Sequence, residues 1–169
     1  VMNGKVPQVY PVSYPVGVQI QCDIGHNPSP AGSMTPLCQA TGQFETGKTC
    51  IPQRCAAPLA VPNGVIVPAS PIIEFPNNIT LTCNEGHFPT GVTVRQCLPT
   101  GLFDRLAECT PVNCTTVPAV QHGSASASWA LFNTTVTITC NSGYVPTKPD
   151  RLRPFCTSSG LFSEATACT

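Results

Sequence analysis

The chain has 169 residues, and only 9% of them are charged, against about 25% in an ordinary soluble domain. Eight basic and eight acidic side chains leave a formal net charge of zero, which argues against nucleic acid, heparin or an anionic membrane as partner, since each needs a basic surface. Eleven cysteines place the chain outside the reducing cytosol, and nineteen prolines with thirteen glycines argue against long helices.

The first predicted element is a strand that closes on Cys22. Tyr14 stands eight residues before the cysteine, Val18 and Ile20 stand four and two before it, and Gln19 and Gln21 lie between them. This alternation marks a half-buried strand with the cysteine on its inward side. A turn through Gly25 and His26 follows, then Pro28, and later Cys38, Gly42-Gln43-Phe44 and Cys50. The four residues Ile51 to Arg54 form a short linker.

The pattern then restarts at Cys55. Phe75, Ile79, Leu81 and Cys83 form the second copy of the strand, Gly86-His87 the turn, and Pro89, Cys97, Gly101-Leu102-Phe103 and Cys109 the remainder. After the linker Thr110 to Asn113 it restarts at Cys114, with Phe132, Val136, Ile138, Cys140, Gly143-Tyr144, Pro146, Cys156, Gly160-Leu161-Phe162 and Cys168. From Cys55, Cys97 and Cys109 to their counterparts the shift is 59 residues, and from Cys83 to Cys140 it is 57. Self-similarity at a fixed period means an array of one small unit. Units of about 55 residues bury too little apolar surface to be secure alone and need covalent staples. Spacing leaves open which of three pairings joins four cysteines. Linkers this short predict an elongated rod with limited bending at each joint.

These residues resemble the sushi domain, also called the complement control protein module or short consensus repeat. The likeness rests on Cys55-Ala-Ala-Pro58 leading to Asn63-Gly64, on Cys114 leading to Val117-Pro118 and Gly123, on the strand ending at the second cysteine, and on the glycine and aromatic that follow it. The resemblance implies an all-β fold: small, β-sandwich-like modules, stapled by disulfides and set end to end. The modules would be 1–50, lacking its first cysteine, 55–109 and 114–168. It also implies the pairings Cys55–Cys97, Cys83–Cys109, Cys114–Cys156 and Cys140–Cys168, with Cys22–Cys50 in the partial unit. Phe44, Phe103 and Phe162 stand where the family has tryptophan, which marks a divergent branch. A phenyl ring still fills a core slot but has no N–H donor. The family bonds imply loops of about 43 and 27 residues, worth roughly 3.5 to 4 kcal/mol each.

Cys38 is left without a mate. In the alignment its mate falls about five residues before Val1, because Val1-Met-Asn3-Gly4 matches Val61-Pro-Asn63-Gly64. An intermolecular disulfide and a reactive thiol are the alternatives. No apolar stretch approaches membrane-span length, which gives no direct membrane insertion, and Val1 opens no signal peptide. The chain therefore reads as an internal piece of a longer secreted or cell-surface protein.

Other residues carry candidate chemistry. Asn78, Asn113 and Asn133 open Asn-x-Thr sequons. Asn78 and Asn133 lie at odd offsets from their cysteines, which puts them on the outward strand face. A bulge before Cys140 could reset the parity at Asn133, and Asn113 sits in a linker. Trp129 is the lone tryptophan. It is expected beneath the variable loop of its own repeat, with an exposed partner anchor or a joint plug as the alternatives. Lys148, Arg151 and Arg153 form a basic cluster, read as a solvated face or as a docking contact for an acidic partner or sugar. His26 and His87 recur at one position and are expected to pack in turns, and His122 is expected to be solvated. Zinc would need closely spaced Cys pairs, and none occurs. No nucleophile elbow, phosphate loop or carboxylate pair is present, so no catalytic residue, metal or cofactor is expected.

The expectation is a non-enzymatic protein-binding or adhesion rod, extracellular, with N-linked glycans. The variable stretches Lys5 to Ser13, Val65 to Glu74 and Ser124 to Leu131 would supply specificity. Its partner would be an extracellular protein or neighbouring copies of itself. A structural subunit of an extracellular filament or coat is the alternative, and a complement-type regulator is a third reading by analogy alone.

Overall fold

The computed structural model describes residues 1–7, 11–58 and 60–169. Gln8 to Tyr10, part of the variable stretch Lys5 to Ser13, lie outside the described residues. The described residues are all-β, with one 3-10 turn at Pro149–Arg151. Five disulfides join Cys22–Cys50, Cys55–Cys97, Cys83–Cys109, Cys114–Cys156 and Cys140–Cys168.

The chain forms two compact units. One comprises Val1–Leu59, Ile66–Thr80 and Val94–Leu106, and the other comprises Ala60–Val65, Leu81–Thr93 and Ala107–Thr169. The boundary runs through the middle sequence repeat, between its two disulfides. Cys55–Cys97 falls in the first unit and Cys83–Cys109 in the second. Each end of that repeat is knitted to the linker beside it.

In the first unit, Gly4–Lys5 pairs antiparallel with Gln21–Cys22, and His26–Ser29 pairs with Thr49–Pro52. Arg54–Ala56 pairs with Ile72–Glu74 and places Cys55 opposite Ile73. Strand Asn78–Cys83, whose Leu81–Cys83 end belongs to the second unit, runs against Val94–Gln96, with Ile79 opposite Arg95. Its alternation is as read: Ile79 is 0% and Leu81 3% exposed, while Asn78 and Thr82 face solvent. The core gathers Cys55, Ala57, Ile73, Ile79 and Cys97, and Phe75, Phe103 and Leu106 close over it. A second, smaller cluster holds Ile20, Met34 and Cys50.

In the second unit, His87–Thr90 pairs with Glu108–Pro111, Asn113–Cys114 with Ala130–Leu131, and Gly123–Ala125 with Ile138–Cys140. Its core is Cys114, Ala130, Val136 and Cys156, packed by Val117 and Phe162. Phe103 and Phe162 thus fill core slots, whereas Phe44 is exposed.

The strand before Cys140 is shorter than its sequence suggests. The continuous strand begins at Ile138, with an isolated bridge ahead of it between Thr135 and Phe155, and Phe132 and Asn133 lie in a turn, with Asn133 at φ +59°. Asn133 is exposed because it caps a turn, not because of strand parity.

The short linkers are largely absorbed into strands. Ile51 and Pro52 end one strand and Arg54 opens the next, so only Gln53 lies between; Val112 holds the matching place in the second linker. Their backbone groups are fully engaged. Gln53 N–H donates to the Gly25 carbonyl at 2.7 Å, and Phe75 N–H donates to the Gln53 carbonyl at 2.8 Å. Val112 repeats this with Gly86 and Phe132, at 2.8 Å for both bonds.

Candidate functional site

The recurrent glycine, histidine and aromatic meet at these linkers. Gly25, Gly86 and Gly143 all hold left-handed backbone, at φ +79°, +73° and +86°. A glycine there leaves a flat seat for a ring. The Phe75 ring lies on Gly25 and the Phe132 ring on Gly86, so closely that a Cβ on either glycine would overlap the ring. His26 meets Phe75 edge-on with centroids 6.0 Å apart, and His87 meets Phe132 edge-on at 5.7 Å. Each imidazole is steadied by a hydrogen bond between Nδ1 and a carbonyl two residues back, Ile24 or Glu85. The two histidines are aromatic walls of a joint. Gly101 abuts Gln53, and Gly160 lies 3.6 Å from the Val112 side chain by its would-be Cβ, so the third-cysteine loop leans on the same linker.

Gly86→Ala is expected to destabilise the chain by more than the roughly 1–2 kcal/mol of left-handed strain, because the methyl group also displaces Phe132. Gly143→Ala, with open space at its Cβ, should cost the strain alone. Urea unfolding of the two variants side by side measures the difference.

His122 is exposed, as expected, and its ring has a partner. It stacks on Tyr144, with centroids 4.1 Å apart and planes 11° from parallel. The turn that gives His122 its φ of +57° also brings Gly123 opposite Cys140, near the start of the Tyr144 turn. Trp129 departs from its expected place. Ala130, opposite Cys114, takes the inward position, so its neighbours Trp129 and Leu131 point outward, at 55% and 39% exposed. Asn113, at the end of its linker, pairs with Leu131 and is exposed. Asn78 is exposed at the start of its strand.

The basic cluster is largely neutralised. Lys148 Nζ donates to Glu164 at 2.7 Å, and Arg151 pairs with Glu164 and, at 3.8 Å, with Asp150. Arg153 is exposed and makes no ion pair among the described residues. Sequence reading gave no sign that Glu164, eleven residues beyond Arg153, folds back onto the cluster.

Cys38 is buried and unpaired, beside an apolar cavity of about 640 Å³ lined by Val6, Val12, Val18, Ile20 and Phe44. In the 55–109 repeat the matching slot beside Cys97 is filled by Cys55 and Ala57. Phe44, which lines this cavity, is 41% exposed. Among the described residues, no helix is long and apolar enough to cross a membrane, and no cluster of His, Cys, Asp and Glu suits a metal ion.

The Sushi repeat (SCR repeat) family model matches residues 55–109 and 114–168. Complement C2 of Bos taurus is 36% identical over 90 residues, 49% of this chain and 12% of that protein. The Sushi, von Willebrand factor type A, EGF and pentraxin domain-containing protein 1 of Rattus norvegicus is 30% identical over 136 residues, 78% of this chain and 4% of that protein. E-selectin of Equus caballus is 28% identical over 174 aligned residues, 96% of this chain and 28% of that protein. The chain thus spans only a minor part of each of these relatives.

Proposed function

The chain belongs to the Sushi repeat family, and from that premise we propose that it is a non-enzymatic, protein-binding segment of a secreted or cell-surface protein. Its modules would be 1–50, 55–109 and 114–168. Proteins as unlike as Complement C2 and E-selectin share the similarity over small parts of their lengths, so the repeat is a common building part and not the mark of one reaction. Five disulfides call for an oxidising compartment, and the three sequon asparagines all stand exposed. Glycosidase treatment of the protein secreted from eukaryotic cells is expected to lower its mass. Peptide mapping should place glycans at Asn78 and Asn133 and test Asn113. An unchanged mass would count against the secretory reading.

The observation that carries the proposal is Trp129. An exposed indole just ahead of a strand, with an exposed leucine two residues on, suits a binding anchor. The partner would be an extracellular protein that buries this face. Trp129→Ser should leave the melting temperature within a degree or two, since a surface change costs about 0.5 kcal/mol or less. It should weaken retention of the labelled chain on partner-bearing cells or matrix by roughly tenfold or more. Equal retention of the variant would refute the assignment.

The filament or coat reading draws on a separate observation, the sparse charge and zero net charge of a repeated unit, which offer little repulsion between copies. The complement-type reading draws on the Complement C2 similarity. It predicts that the purified chain alters a complement convertase assay, and an unaltered rate would dispose of it.

A further inference from the structure

The glycan acceptor at Asn113 and the indole of Trp129 share one face of one strand pair. Asn113 lies opposite Leu131, and Cys114 lies opposite Ala130. Cys114 and Ala130 point inward, at 0% and 6% exposed, so Asn113, Thr115, Trp129 and Leu131 point outward, and all four are exposed. Continuing the antiparallel register by one residue sets Thr115 across from Trp129. The two residues that define the sequon, Asn113 and Thr115, thus stand across from two large exposed apolar side chains. Its middle residue, Cys114, turns away to the disulfide with Cys156.

Two observations name what covers this face. The first is distance. Side chains directly opposite on an antiparallel pair have Cβ atoms about 4.5–5.5 Å apart, and diagonal ones about 7–8 Å. Asn113 is opposite Leu131 and diagonal to Trp129, so a sugar on its Nδ2 begins within reach of both. The second is charge. From Cys109 to Thr147 the chain has no Asp, Glu, Lys or Arg. An acidic or basic ligand finds no counter-charge on these strands, whereas a neutral sugar needs none. A pyranose presents C–H groups on one side, and these suit the electron-rich face of an indole. We propose that Asn113 carries an N-linked glycan whose first sugar lies over Trp129 and Leu131 and shields them.

In the transfer, Asn113 Nδ2 bonds to the anomeric carbon of a lipid-linked oligosaccharide. That carbon's bond to pyrophosphate breaks, the lipid pyrophosphate leaves, and the amide gives up one proton. Once folded, Asn113 is held in a strand pair and Cys114 in a disulfide, so the transfer precedes closure of Cys114–Cys156. Molecules that close the bond first stay bare. The order of the two events therefore divides the chain into covered and open forms. The effect on binding rests on the anchor role proposed above for Trp129; the cover itself does not.

Trp129 is the only tryptophan, so fluorescence reads this one indole directly. The full chain secreted from eukaryotic cells should yield a glycopeptide containing Asn113. In the fraction bearing that glycan, acrylamide should quench the indole with roughly half the constant of the bare fraction, since one face of a side chain that is 55% exposed is taken from solvent. Asn113→Gln and Thr115→Ala remove the sequon through different exposed residues, and both should quench as the bare fraction does. Asn78→Gln and Thr135→Ala remove the other two sequons and should leave the shielding unchanged. Trimming the glycan to its first sugar should also leave it unchanged. An Asn113 without glycan would overturn the proposal. So would equal quenching of the two fractions, or shielding lost in Asn78→Gln or Thr135→Ala. Retention on partner-bearing cells separates this from the anchor role, and should be roughly tenfold greater for the bare fraction. Equal retention of shielded and bare fractions would refute the anchor and leave the cover standing.

Discussion

Replacing Cys114 and Cys156 together by alanine is expected to lower stability by about 4 kcal/mol, from the chain entropy of a loop spanning 42 residues. Both cysteines are 0% exposed and sit at the centre of the cluster with Ala130 and Val136, so lost packing adds to lost cross-linking. A repeat of this size has little else to lose, since its apolar core is small. Removing Cys140–Cys168, which spans 28 residues, should cost about 3.5 kcal/mol. Hydrogen exchange and urea unfolding should therefore rank the first variant below the second, with exchange protection lost around Val136 and Ala130. Equal stability of both variants and the parent would mean that the apolar contacts suffice alone, contrary to what the burial implies.

Ile79→Ala is expected to destabilise by about 3–4 kcal/mol, near the middle of the range for emptying a fully buried aliphatic site. Ile79 is 0% exposed and packs in the same cluster as Cys55, Cys97 and Ile73. Neighbours in one cluster do not respond independently. Ile79→Ala combined with loss of Cys55–Cys97 should therefore deviate from additivity by about 0.5 kcal/mol or more. Ile79→Val, which removes one methyl group, should cost about 1 kcal/mol. Leu81 offers an internal comparison, at 3% exposed on the same strand face.

Local features were plain from the chain alone. Alternation announced Ile79 and Leu81 as inward, and the recurrent glycine three residues after the second cysteine announced the left-handed turns at Gly25, Gly86 and Gly143. These depend on neighbours a few residues away, which a one-dimensional pattern records. The seat of Phe75 on Gly25 links residues fifty positions apart and leaves no periodic signature. Recurrence of an aromatic eight residues before the cysteine was its only trace. Trp129 was misplaced because Ala130, a small residue with weak apolar signal, takes the inward position beside Cys114. The Lys148 and Arg151 cluster looked uncompensated because Glu164 reaches it only through the fold. The linkers looked like spacers because four residues between cysteines carry no sign that all but one belong to strands.

Gln53 and Val112 share no side-chain chemistry, yet they form the same two backbone bonds in their respective joints. The coupling is written in main chain and in one ring resting on one glycine, so the amino acid between the strands is free to vary. Duplicating or exchanging a single repeat brings its own coupling hardware, a plug at one end and a socket at the other, with no adjustment demanded of its new neighbour. Chimeras that reorder these repeats should therefore form joints of the same geometry, whatever residue other than proline stands at position 53 or 112.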